Sequence, residues 1–195
     1  IPETICPDRR SRVLDLYLST ALSPREYVLG KVFASLTPLL AVTTLPLAFL
    51  YVGNVFFAEH PLGYVQDHLR EIPAILGGGL LIALVYTLLG LAIASLTSRR
   101  AFASVGFILL MIISGLMSGA LREVADLGPN SRLVNLQGLP IWLAQKMIGG
   151  PPSFIKNGPL QQVDTPDVGL LILMNAILIV GCIGILALRY RRSDA

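Results

Sequence analysis

The chain has 195 residues, of which 54% are apolar and only 14% charged, and its mean hydropathy is +0.71. A soluble domain of ordinary composition carries about a quarter of its residues as Asp, Glu, Lys and Arg, so a water-soluble fold is excluded. The net charge of +3 is small and is distributed as a topogenic bias around apolar blocks, which removes any need for a nucleic-acid partner.

The first predicted element is a short amphipathic helix. From Asp8 to Leu22, Val13, Leu14, Tyr17, Leu18 and Leu22 share one helical face, whereas Arg9, Arg12, Asp15 and Ser19 lie largely elsewhere. Such a segment suits a membrane interface, where its bland role is that of a lipid-facing anchor. A second helix start follows at Ser23, an N-cap residue, with Pro24 at the first helical position and Glu26 completing a capping box. That helix is expected to run through Gly30 and Lys31 into the first span.

Four uncharged blocks follow, at residues 32–57, 72–97, 101–121 and 168–188. About 20 apolar residues match the thickness of a bilayer core, so each reads as a membrane-spanning helix. The fold class is therefore an all-α polytopic helix bundle. Its organisation is a cytoplasmic segment, 1–31, followed by a transmembrane domain, 32–195. The two longer blocks exceed the hydrocarbon slab and must tilt, bend or project, with Pro38, Pro46 and the run Gly77, Gly78, Gly79 as places to bend.

The turn Ser98, Arg99, Arg100 between the second and third blocks is so short that they must form an antiparallel hairpin. Gly90 with Ala94, and Gly115 with Gly119, are small residues four apart, the spacing that lets helix backbones approach closely in lipid. The connection from Arg122 to Asp167 contains Leu133, Val134, Leu136, Leu139, Ile141, Trp142, Leu143, Met147 and Ile148, interrupted by Pro140. It predicts one or two short re-entrant or interfacial helices, with Trp142 at headgroup level.

Ten Lys and Arg residues flank the helices on one side: Arg9, Arg10, Arg12, Arg25, Lys31, Arg99, Arg100, Arg189, Arg191 and Arg192. Five lie on the other: Arg70, Arg122, Arg132, Lys146 and Lys156. The excess places both ends of the chain in the cytoplasm and the connections 58–71 and 122–167 outside. Cys6 and Cys182 then both lie toward the reducing side, so no structural disulfide is expected.

Chemistry inside the spans is sparse. No block carries Asp, Glu, Lys, Arg or His, so neither an intramembrane catalytic constellation nor the ionisable group of a proton-coupled carrier is present in them. His60 and His68 lack the helical i, i+4 pairing of a metal site. There is no Gly-x-x-x-x-Gly-Lys phosphate loop, so uphill transport would draw its energy from a partner. Neutral groups at Thr43, Thr44, Asn54, Tyr86, Thr87 and Asn175 lean toward apolar or amphipathic cargo such as lipids or drugs.

The run from Asp8 through Leu16, Tyr17, Leu18, Ser19, Pro24, Arg25, Glu26, Tyr27 and Gly30 to Lys31 resembles the stretch between the second and third spans of ABC type-2 permeases. It departs from the family pattern at Ala21, where Pro is common, and at Arg25, which follows Pro24. The order of parts is similar as well: a long span, a hairpin with a basic turn, outer re-entrant helices, then a last span with a basic tail. The resemblance implies two further spans ahead of Ile1, making six in the whole subunit. It also implies that Arg9, Arg12, Leu14, Asp15, Tyr17 and Leu18 belong to a coupling helix docked on a cytoplasmic nucleotide-binding ATPase subunit. ATP and Mg would be bound on that partner, with no cofactor in this chain, and a second permease copy or homologue would complete the complex in the cell (inner) membrane. The alternatives are a non-transporting membrane scaffold and a secondary carrier with its ionisable residues upstream.

Overall fold

The computed structural model describes residues 24–58, 60–69, 71–97, 99–125, 128–148 and 166–191. The coupling-segment residues Arg9, Arg12, Leu14, Asp15, Tyr17 and Leu18 lie outside the described residues.

Helix α1 spans Pro24–Phe57, α2 Pro61–Asp67, α3 Glu71–Leu96, α4 Arg100–Val124, α5 Gly138–Ile148 and α6 Val168–Arg191, with a 3-10 segment at Gly128–Val134 between α4 and α5. Four of these helices, α1, α3, α4 and α6, are long and apolar enough to cross a membrane. The polytopic all-helical reading therefore holds. Helix α1 begins at the proline expected to open it and passes without interruption through Pro38 and Pro46. Each proline forfeits one backbone hydrogen bond. Hydroxyls bond back within the same stretch, Thr37 to the Phe33 carbonyl at 2.9 Å and Thr43 to the Leu39 and Leu40 carbonyls at 3.0 and 3.1 Å.

Helix α3 is the hub. It packs against α1, α4, α5 and α6, and 61% of its most apolar window is buried, against none for α1, 17% for α4 and 22% for α6. Two apolar clusters hold the bundle. One joins Leu88, Leu89, Leu91, Ala92 and Ala94 of α3 to Ala103 of α4 and to Cys182 and Leu186 of α6. The other joins Leu139 and Leu143 of α5 to Leu171 of α6. Along α6 the buried residues Leu171, Asn175, Cys182 and Leu186 make one face, while Ile172, Leu173, Ile177, Val180 and Ile183 are exposed. An exposed apolar face is what a helix presents to lipid or to another subunit.

One element went unpredicted. The connection between α1 and α3 contains α2, two turns long, opened by Pro61 at its first position. The imidazole of His68 stacks on Tyr64 with ring centroids 4.1 Å apart, and Tyr64 in turn lies 6.3 Å from Tyr51 of α1. Burial, then the charge of Glu71, then Tyr51 push the Tyr64 phenol above its usual pKa.

Candidate functional site

The three consecutive glycines of α3 do not interrupt it; the helix runs through them and uses the space they leave. A Cβ added at Gly78 would stand 3.0 Å from the Ala144 Cβ of α5, and one at Gly77 would stand 3.1 Å from the Met147 Cε. At Gly79 an added Cβ would fall against the side chain of Thr44 on α1. The Thr43 hydroxyl donates to the Gly79 carbonyl at 3.2 Å across the same contact. Successive residues of a helix point about 100° apart, so neighbouring glycines serve two neighbours, α5 and α1. In lipid, where apolar burial gives no net driving force between helices, such close approach and interhelical hydrogen bonds supply the adhesion.

Against this platform the 3-10 segment and α5 form a re-entrant unit. The Tyr86 hydroxyl of α3 donates to the Gln137 carbonyl at 2.7 Å. At about 1.5 Å per residue Tyr86 lies roughly 22 Å from the start of α3, so the tip at Asn135, Leu136 and Gln137 reaches well into the bundle. Helix α5 then climbs back along α3 from the level of Tyr86 to that of Gly77. The Asn135 side chain caps the rising helix, its Oδ1 accepting from the Gly138 N–H at 3.0 Å. Pro140 sits in the first turn of α5, where its missing N–H has no intrahelical partner to lose. This is why a residue read as a breaker falls inside a helix.

The tip is also anchored from α6. Asn175 is 2% exposed, and its Nδ2 donates to the Leu171 carbonyl at 2.8 Å and to the Leu139 carbonyl at 3.3 Å. Above the tip, Trp142 covers Gly138, and the Arg132 guanidinium lies 5.5 Å from the Trp142 ring centroid. The indole thus packs inward on an arginine. Non-helical backbone at membrane depth is stable only where protein covers it or where it lines a cavity. Here both hold. A cavity of about 290 Å³ lies beside the tip, bounded by Leu39 of α1, Tyr86 of α3, Phe107 and Met111 of α4, and Gln137.

Among the residues singled out for helix packing, Gly90 and Ala94 are buried in α3. Gly115 and Gly119 of α4 have nothing within 4 Å of an added Cβ. The α3–α4 hairpin is close near its turn, where Ala103 is buried and Gly106 faces Ile93. Farther along, α4 packs on the 3-10 segment. A three-residue turn brings two helices together only at one end, and the re-entrant unit occupies the space beyond.

Four spans, a hub helix and a re-entrant unit fit a transport subunit, and sequence comparison decides which kind. A family model described as "ABC-2 family transporter protein" matches residues 1–188. The chain belongs to the ABC-2 transporter family. Comparison with curated proteins and with solved structures returned no match. Membership makes this a multi-pass membrane subunit of the ABC-transporter permease type, a class that associates with ATP-binding subunits. The ABC-2 match includes the segment that holds Arg9, Arg12, Leu14, Asp15, Tyr17 and Leu18, and the re-entrant unit, whose tip residues Asn135 and Gln137 were not singled out as site residues. The signal available for the tip was weak: one Asn ahead of a Gly and a Pro in an apolar stretch.

Proposed function

We propose that this chain is the permease of an ATP-driven exporter, moving apolar or amphipathic cargo with energy from ATP and Mg bound on a separate nucleotide-binding subunit. The ABC-2 family match carries the reading. The polar tip beside an open cavity walled by half-buried side chains supports it, because a permease must present adaptable polar groups along an otherwise apolar path. A second permease, identical or homologous, would cover part of the exposed apolar faces of α1 and α4, and lipid the remainder.

The energy source tests this reading. Transport by the assembled complex should continue when the proton gradient is collapsed while ATP is maintained, and should stop when ATP is depleted. Loss of transport on collapse of the gradient alone would instead assign the work to a protonating carrier.

The charge asymmetry orients the proposed subunit with both ends of this chain in the cytoplasm of the cell (inner) membrane. A single cysteine replacing Ser98 should react with an impermeant thiol reagent only from the cytoplasmic side, and one replacing Gln66 only from outside. Reaction at position 98 in intact cells would reverse the orientation.

A further inference from the structure

A second and larger cavity lies on another side of the hub, where α3, α5 and α6 meet. Its volume is about 630 Å³, and its lining is apolar apart from Lys146. Leu80 and Leu84 of α3 and Ile172 and Ile179 of α6 form its walls, with Gly77 beside Met147 and with Lys146 also lining it. Along α6 the lining extends from Val168 to Ile179, which is about 16 Å of helix and half of the roughly 30 Å hydrocarbon core. The groove is therefore as long as one leaflet is thick. Lys146 lies in the last turn of α5, close to the level of Gly77, and Val168 opens α6, so the charged end is the end nearer the helix termini.

Volume and charge together select the occupant. A single flexible chain fits, and the volume falls within the range of sites for small ligands. Lys146 is the one charged residue among the described lining, with exposed Asp167 outside it just ahead of Val168, and an ammonium at that end of an apolar groove complements an anionic headgroup. We infer that this groove holds one acyl chain of an anionic phospholipid, with the lipid phosphate beside the Lys146 ammonium. Lipid tails are as apolar as the groove wall, so chain burial adds little preference of its own. Selectivity then rests on the ammonium and occupancy on the shape. The inference is independent of the cargo and of the energy source, so a failure of the transport reading leaves it standing.

Native mass spectrometry of the full-length subunit tests it, with phosphatidylglycerol and phosphatidylcholine titrated in mild detergent. The wild-type protein should retain one phosphatidylglycerol about fivefold better than phosphatidylcholine, the discrimination expected of one lysine near a membrane surface. Lys146→Gln should remove that preference, and because the residue is exposed the variant should fold normally. Ile172→Trp, which fills the groove, should reduce retention of both lipids, while Ile113→Trp on the exposed face of α4 should leave both unchanged. Equal retention of the two lipids by the wild type, an unaltered preference in Lys146→Gln, or undiminished binding to a folded Ile172→Trp protein would each overturn the assignment.

Discussion

Gly79→Leu should be the most damaging single substitution in the described bundle, separating α1 from the hub. The first carbon of the new side chain already meets the Thr44 side chain, and the Thr44 Cα stands only 3.6 Å away. Thr44 is β-branched and its hydroxyl is bonded to the Leu40 carbonyl, so it has little freedom to turn aside. Overpacking a close contact costs about 1–3 kcal/mol, and forcing the helices apart adds the loss of the Thr43 hydroxyl bond to the Gly79 carbonyl. Thermal unfolding of the purified full-length protein in detergent measures the cost. Gly115→Leu serves as the comparison, since nothing in the described chain stands against it. Pairing Gly79→Ala with Thr44→Ala should recover stability, because the second change vacates the space the first requires. Equal unfolding temperatures for Gly79→Leu and Gly115→Leu would refute the close-approach account.

The contrast between these glycines marks how far sequence reasoning reached. Four spans stood out because long uncharged blocks have a single physical solution in a bilayer, and the ends of the apolar helical stretches fall within a few residues of the block ends. Helix α2 was missed: seven residues carry too little periodicity, although Pro61 announced its start. The glycine run was visible, but its use was not. Three glycines in a row signal flexibility in isolation and close approach only when both neighbours are known, here Thr44 on one side and Ala144 on the other. Small residues four apart likewise say that a helix can be approached, without saying by what. Gly90 is buried in the hub, whereas Gly115 looks onto open space because the re-entrant unit fills the gap beyond the α3–α4 turn. The short helices within 122–167 were legible from apolar residues broken by Pro140, yet the place of 128–148 against the bundle is set by Tyr86 and Asn175, each far away in sequence.

The double substitution Tyr17→Ala with Leu18→Ala should have the largest functional effect, because it removes the apolar face through which the segment ahead of α1 is proposed to meet the ATPase. Helix α1 runs unbroken from Pro24 for 34 residues, so force applied at its start reaches the opposite end without a flexible joint. Buried aromatic and aliphatic anchors dominate interface energies, and losing two should weaken association on the order of 30-fold or more. As membrane anchors alone, the same two groups would matter little in a protein already held by four spans. Arg122→Gln, at the far end of α4, is the control and should leave assembly intact. The deciding measurement is the composition and ATP hydrolysis of the complex purified from membranes through a tag on this subunit, for wild type and for the double variant. The wild-type protein is expected to bring down an ATP-hydrolysing subunit in fixed stoichiometry. The double variant should lose that subunit, or keep its ATP hydrolysis while export falls to background. A wild-type subunit that purifies without any ATPase, or a double variant with unchanged assembly and unchanged ATP-driven export, would contradict the account.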